Sequence, residues 1–301
     1  LSANIRIGVD LGGTKIEAAA LDRAGGIVAR RRVPAPLGNY SDTVSAITNL
    51  VKSIEADAHG AGTIGIGIPG IISPATGLVK NANSVWLNGH PLDRDIAIAL
   101  DREVRIANDA NCFALSEAID GAGEGKNVVF GVILGTGVGG GIVVGGKPQI
   151  GAHAIAGEWG HNPLPFLSSE ELDAPQCWCG KPACIETFLS GNGLSRSYER
   201  ISGKRLSPAE ISQRALGKDP DAVRAMREYV DRAARALSLV INILDPDVVV
   251  LGGGLSNIAA LYEDISPQLA RYVFSDACTT PILKNRHGDS SGARGAAWLW
   301  D

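Results

Sequence analysis

Ile5-Arg6-Ile7-Gly8-Val9-Asp10-Leu11-Gly12-Gly13-Thr14-Lys15 decides how the rest of the chain is read. Residues 5–10 alternate as a strand does, Gly12-Gly13 supplies a tight turn, and Ile16 to Leu21 reads as the paired return strand. The theme recurs in an apolar strand from Val128 to Leu134, a turn at Gly135-Thr136-Gly137-Val138-Gly139-Gly140-Gly141, and a return strand Ile142-Val143-Val144. A third strand, Val248 to Leu251, ends in Gly252-Gly253-Gly254. These units imply an α/β chain with an internal duplication, one of pattern more than of letters.

Helices fill the intervals. Ser41 to Ala58 places Val44, Ile47, Leu50, Val51 and Ile54 on one face, with Ser41 or Asp42 as cap. Thr63 to Ile68 is an apolar strand stopped by Pro69-Gly70. Leu92 to Leu100 is helical, and Val104 to Ala107 is a strand running into Asn108-Asp109-Ala110-Asn111 and a helix to about Ile119. Ala222 to Leu244 forms a long helix, and Gly292 to Trp300 a short one. The loop Gly121 to Lys126 is the expected boundary. It separates a small lobe, 1–120 with the C-terminal helix 290–301, from a large lobe, 121–289.

Composition narrows the function. With 301 residues, 45% of them hydrophobic, the chain can bury a sizeable core in two lobes. A formal net charge of −4 does not suggest a nucleic-acid partner. No apolar run approaches the ~20 residues of a membrane span. Leu1-Ser2-Ala3-Asn4 leads straight into the first strand, which leaves no room for a signal peptide. The five cysteines are odd in number, and three are clustered. This fits a cytoplasmic protein with a metal site better than a disulfide framework.

The glycine turns carry two readings. Gly12-Gly13 suits an ordinary hairpin, but it also lets backbone N–H groups approach phosphate oxygens, with Thr14 as a hydroxyl donor and Asp10 placed to order Mg²⁺ through water. The sequence is not a Walker loop. Five glycines within Gly135–Gly141 exceed what a plain turn requires. A dinucleotide fingerprint fails there, because the following residues are β-branched and no acidic residue ends a strand ~20 positions on. Two such loops suggest a nucleotide clamped in a cleft. Asn108-Asp109 can serve as a helix N-cap, or Asp109 as the carboxylate that accepts a hydroxyl proton during phosphoryl transfer.

A second segment names a metal. Gly157-Glu158-Trp159-Gly160-His161 precedes Cys177-Trp178-Cys179-Gly180-Lys181-Pro182-Ala183-Cys184-Ile185-Glu186. His161, Cys177, Cys179 and Cys184 make a Cys3His set suited to structural zinc. Packing of small cysteines in a core is the alternative. Glu158 and Glu186 flank the set, as surface charges or as pocket residues. Cys112 and Cys278 lack such neighbours and are read as core or inert, and the lone histidines His59, His90, His153 and His287 as structural or solvated.

Taken together, these residues resemble the ROK family of sugar kinases. The resemblance covers essentially the whole chain, through Asp10–Thr14, Gly67-Ile68-Pro69-Gly70, Asn108–Asn111, Gly135–Gly141, Glu158-x-x-His161, Cys177-x-Cys179-Gly180, Cys184-x-Glu186 and Leu251–Gly254. It implies the two-lobed actin-like, ribonuclease-H-like ATPase fold, with a nucleotide and sugar cleft between lobes that close on substrate. It further implies Asp109 as general base, and Asn108, Glu158, His161 and Glu186 as hydroxyl ligands, with Gly70 and Asn83 lining the site. Zinc would sit on His161, Cys177, Cys179 and Cys184. ATP with Mg²⁺ would be held by Gly8, Asp10, Gly12, Gly13, Thr14 and Lys15, by Gly135, Thr136, Gly137, Gly139 and Gly140, and near Gly253 and Gly254. A homodimer is the family's usual assembly.

Within the family, Lys80–Gly89 and Arg286–Trp300 resemble fructokinases that also accept mannose. The expectation is therefore a fructokinase forming fructose 6-phosphate. N-acetylglucosamine kinase and glucokinase are the alternatives, since they carry nearly the same core motifs. A sugar-sensing ROK transcription regulator is disfavoured, because no helix-turn-helix precedes the first glycine turn. An actin-like ATPase that moves a partner is disfavoured by the sugar-directed glutamates.

Overall fold

The computed structural model describes residues 5–300. Leu1–Asn4, on which the absence of a signal peptide was read, and Asp301, at the end of the expected C-terminal helix, lie outside them. The chain divides into two compact units. Unit 1 runs to Gly125 and takes in Gly141–Ala156 and the tail from His287; unit 2 holds Lys126–Gly140 and Gly157–Arg286.

In unit 1, β1 (Arg6–Leu11), β2 (Lys15–Leu21) and β3 (Ile27–Pro34) form an antiparallel meander in which Asp10 lies opposite Glu17. Helix α1 (Tyr40–Asp57) leads to β4 (Thr63–Ile68), which runs parallel to β1. A small hairpin, β5 (Ile71–Ile72) with β6 (Val79–Lys80), and α2 (Leu92–Leu100) precede β7 (Val104–Asn108), which pairs parallel with β4 and feeds α3 (Asp109–Asp120). The order is β3-β2-β1-β4-β7. Ile7, Val9, Ile16, Ile47, Val51, Ile54, Ile64 and Ile66 are wholly buried in one cluster joining sheet and helix. Each such side chain contributes roughly 1.5–3 kcal/mol through burial. The cap of α1 differs from expectation. Asp42 N donates to the Asn39 side chain at 3.0 Å, so Asn39 is the cap and Ser41 and Asp42 lie inside the first turn.

The second sheet repeats the plan. β8 (Val128–Leu134), β9 (Val138–Val144) and β10 (Lys147–Pro148) come first, and the chain passes from unit 2 to unit 1 within β9. Helices α4 (Ile185–Leu189), α5 (Gly191–Ser202), α6 (Pro208–Leu216) and α7 (Pro220–Leu244) lead to β11 (Val248–Gly252), α8 (Ala260–Leu269) and β12 (Ile282–Lys284). β11 is parallel to β8 and to β12. The order β10-β9-β8-β11-β12 matches β3-β2-β1-β4-β7 position for position, so the repeated glycine pattern marks a repeated sheet. One expectation needs correcting. Gly139, Gly140 and Gly141 belong to β9, and the turn is only Gly135-Thr136-Gly137.

Helix α7 starts at Pro220 behind an Asp219 cap, where Pro costs no hydrogen bond, and stops at left-handed Asp245. It brings Arg232 and Arg235 onto buried Glu171, at 2.6 Å and 2.8 Å. Among the described residues, no helix is long and apolar enough to cross a membrane.

The C-terminal helix α9 (Ser291–Ala297), read in Ser-Gly-Ala-Arg-Gly-Ala-Ala, lies on β1, β4 and α3 in unit 1. The approach is close because both faces lack side chains. An added Cβ at Gly8 would strike the Ala293 carbonyl oxygen, one at Gly65 that of Ala296, and one at Gly295 that of Cys112. Gly8, expected among the nucleotide residues, is therefore buried in helix packing. Beside it, Asp120 pairs with His287 at 2.9 Å and with Arg294, and Arg294 also reaches the Gly25 carbonyl at 2.9 Å.

Candidate functional site

Unit 1 gathers carboxylates at the C-terminal ends of parallel strands. β7 ends at Asn108, whose side chain accepts from Ala110 N at 2.9 Å and so caps α3. Asp109 follows as the first helical residue, and its Oδ1 also accepts from Ala110 N, at 2.8 Å. Asn108 Nδ2 donates to the Gly70 carbonyl at 3.3 Å, which ties the end of β4 to the start of α3. An added Cβ at Gly70 would lie 2.9 Å from that of Ala82, so the loop carrying exposed Asn83 runs against this corner. Asp10, next to last in β1, lies near enough to this corner to feel the charge of Asp109. Burial first, then the charge of Asp109 and that of Glu17, push its carboxyl up to about 7. Such a site favours a cation or a shared proton.

The first turn is open. Gly12 N donates to Lys15 O at 3.0 Å, and Gly13 and Thr14 are exposed. Lys15 Nζ lies 3.5 Å from Asp289, an exposed pair worth little in stability. Gly70, Asn108, Asp109, Asp10 and the Gly12–Lys15 turn thus all sit in unit 1.

Unit 2 holds the other expected residues. The ligand atoms of His161, Cys177, Cys179 and Cys184 lie within 4.8 Å of one another. Cys177 Sγ is 3.6 Å from His161 Nδ1, and the Cys179 and Cys184 sulfurs are 3.6 Å apart. A tetrahedral zinc with ordinary bond lengths requires sulfur–nitrogen edges of about 3.6 Å and sulfur–sulfur edges of about 3.8 Å. The donors therefore fit a zinc ion. Burial and hydrogen bonding with Cys179 push the Cys184 thiol up to about 12, so without a cation it stays protonated; a divalent metal reverses this by binding the thiolate. With Nδ1 toward the sulfur set, His161 keeps Nε2 on the other edge of its ring.

Glu186, at the start of α4, is more committed to the protein than its sequence position suggests. Its Oε2 accepts from Val138 N at 3.0 Å, and its Oε1 from Trp178 Nε1 at 2.7 Å. An added Cβ at Gly137 would lie 2.6 Å from the same carboxylate. Glu186 thereby joins the second glycine turn to the cysteine cluster. The Gly135 carbonyl accepts from Gly191 N at 2.8 Å, which fixes the other side of the turn. Glu158 is half-buried, and burial raises its carboxyl, with Glu186 adding and His161 opposing.

The remaining glycines split in two. Gly140 makes room for Trp159, whose Nε1 donates to the Gly139 carbonyl at 3.0 Å and whose Cδ1 would lie 2.6 Å from a Cβ on Gly140. The missing side chain of Gly140 is thus explained by packing. Gly135 and Gly254 have nothing within 4 Å of an added Cβ, and Gly253 takes φ 79° against the Leu134 carbonyl. Trp159 and Trp178 were not among the expected site residues. Trp178 could have been suspected from its place between two cysteines, whereas the fold alone brings Trp159 to β9.

Residues 6–301 match the ROK family. An N-acetyl-D-glucosamine kinase of Pectobacterium atrosepticum is 40% identical over 296 residues, 97% of this chain and 97% of the relative. A ROK hexokinase from Thermus thermophilus has a structure similar to this one at TM-score 0.87 and 29% identity, over 98% of this chain and 97% of that one. A ROK family glucokinase from Streptomyces griseus, solved with glucose and AMPPNP, is similar at TM-score 0.81 and 29% identity over 98% of both chains. The chain therefore belongs to the ROK family and has the two-unit α/β fold of its sugar kinases.

Proposed function

We propose that this protein is an ATP-dependent hexose kinase whose acceptor is N-acetyl-D-glucosamine. The observation that carries the acceptor is identity of 40% to an N-acetyl-D-glucosamine kinase across nearly the whole of both chains. That evidence displaces the fructose expected from Lys80–Gly89 and Arg286–Trp300. Those two stretches are short, whereas the likeness spans 296 residues. ATP as donor is supported by the glucokinase solved with AMPPNP.

The chain's own residues then take these roles. Asp109 accepts the proton of the sugar's primary hydroxyl as that oxygen attacks the γ-phosphorus and ADP departs. Its place at the first turn of α3 fixes the carboxylate without a flexible loop. Asn108, Glu158, His161 and Glu186 hold the other hydroxyls, with Gly70 and Asn83 beside them. The turns Gly12–Lys15 and Gly135–Gly137 offer N–H groups to the phosphates, and Gly253 and Gly254 lie by the nucleoside. Asp10 would order Mg²⁺, which neutralises phosphate charge when bound. His161, Cys177, Cys179 and Cys184 would hold zinc, whose contribution is to stiffen the 157–186 segment. Steady-state ADP release with N-acetyl-D-glucosamine, glucose, mannose and fructose tests this reading. The highest kcat/KM is expected for N-acetyl-D-glucosamine, and release that no sugar stimulates would refute the proposal.

A further inference from the structure

Trp178 has no role in the reading above, yet it occupies a conspicuous place. It stands between two cysteines of the cluster with 67% of its surface exposed. Exposing a large indole forfeits burial that a polar residue would not miss. Its mount is rigid. Cys177 N donates to the Lys181 carbonyl and Gly180 N to the Cys177 carbonyl, both at 2.9 Å, so the side chain rides a tight loop whose flanks are cluster donors.

Two contacts use that mount. Trp178 Nε1 donates to Glu186 Oε1 at 2.7 Å, and the indole meets the His161 ring nearly perpendicular, 86° with centroids 5.0 Å apart. The other Glu186 oxygen is held by Val138 N at 3.0 Å. Trp178 Nε1 on Oε1 and Val138 N on Oε2 fix both the position and the plane of the carboxylate, and the Cys177 sulfur lies a further 3.8 Å from Oε1. Oε2, with a single donor, keeps lone-pair capacity, so a hydroxyl can still bind there. An untethered glutamate would have to lose its rotamer freedom when a ligand arrives.

We propose that Trp178 is a positioning residue for sugar recognition: its N–H holds the Glu186 carboxylate in the orientation that accepts a hydroxyl, and its ring steadies His161. The inference rests on the sugar-binding roles proposed for Glu186 and His161. It makes Trp178 a determinant of acceptor affinity and leaves the phosphoryl transfer itself to other residues.

The test compares Trp178→Phe with Trp178→Ala in the zinc-loaded protein. Phe keeps an aromatic ring beside His161 and removes the N–H, whereas Ala removes both. For Phe, KM for N-acetyl-D-glucosamine is expected to rise about tenfold, the scale of one charge-assisted hydrogen bond, with kcat within about twofold and KM for ATP unchanged. Sugar affinity measured calorimetrically without ATP should fall by the same factor, and the fall should be larger for Ala. Zinc content and melting temperature should match the parent in the Phe variant. Wild-type sugar affinity in both variants would overturn the proposal. So would loss of zinc or of melting temperature in the Phe variant, which would make the indole a structural support. A parent protein without sugar-stimulated ADP release would instead overturn the kinase reading.

Discussion

The two glycine hairpins have the same place in matching sheets, but they are backed in different ways. Behind β1 and β4 lies α9, so close that Gly8 and Gly65 have no room for a methyl group. Behind the turn from β8 to β9 lies a carboxylate, Glu186, which takes the Val138 N–H and a tryptophan of the cysteine cluster. The first hairpin is fixed by backbone-to-backbone packing. The second is fixed by side chains that belong to the zinc-type cluster, so its shape is tied to that cluster. A duplicated sheet has thus acquired two differently backed hairpins, and the proposed function divides its roles around them, with the base Asp109 in unit 1 and the hydroxyl ligands Glu158, His161 and Glu186 in unit 2.

The sharpest way to break this division is at Asp109. Asp109→Asn keeps an oxygen for the Ala110 N–H, so α3 should remain capped. On the proposed mechanism kcat should fall by about 10²–10⁴-fold, with calorimetric sugar affinity nearly unchanged. Near-normal turnover would remove the catalytic role from unit 1.

Next in size is a pair of glycine substitutions. Gly8→Ala drives a methyl group into a backbone carbonyl and should cost about 1–3 kcal/mol or more, seen as a lower melting temperature. Gly135→Ala meets nothing within 4 Å, so stability should barely change while KM for ATP rises. Equal destabilisation by both would erase the contrast in backing.

Chelation probes the second hairpin. Removing metal should increase hydrogen exchange across 157–186 and weaken sugar binding more than nucleotide binding. Exchange unchanged by chelator in reduced protein would show that the thiol set stands without metal.

The smallest expected effect is pH-dependent and belongs to unit 2. Burial alone would raise Glu171, but hydrogen bonds from Arg235 and Arg232 and from Ser168 N take it from 4.5 to about 2. A depressed carboxyl stabilises the fold above its unfolded value and loses that contribution as pH falls toward the folded one. Stability should therefore decline between about pH 4.5 and 2. Urea titrations in that window should show a shallower decline for Glu171→Gln, and an unchanged slope would contradict the assignment.

Much of this was legible in sequence because it was periodic or chemically specific. The alternation in β1 and β8, the apolar face of α1 and the four donors at His161, Cys177, Cys179 and Cys184 needed no structure. β10, of two residues, and β12, of three, were too short to carry a period. β3 was missed because it exposes most of its residues and reads as a charged stretch, Arg30-Arg31-Arg32. Glycines were the hardest residues to interpret. Gly8 packs a helix, Gly140 admits Trp159 and Gly135 faces open space, differences that spacing alone does not show. The bonds from Trp178 and Val138 to Glu186 depend on tertiary placement that no spacing rule contains. Fructose was expected from two short segments, whereas the likeness to an N-acetyl-D-glucosamine kinase spans 296 residues and favours the alternative acceptor.

The central proposal is ATP-dependent phosphorylation of N-acetyl-D-glucosamine. The most direct measurement is kcat/KM for ADP release on N-acetyl-D-glucosamine beside fructose, mannose and glucose. The account predicts N-acetyl-D-glucosamine to be preferred by at least about tenfold, a difference of about 1.4 kcal/mol in transition-state binding. Fructose or mannose as the better substrate, or no sugar-dependent release, would contradict it.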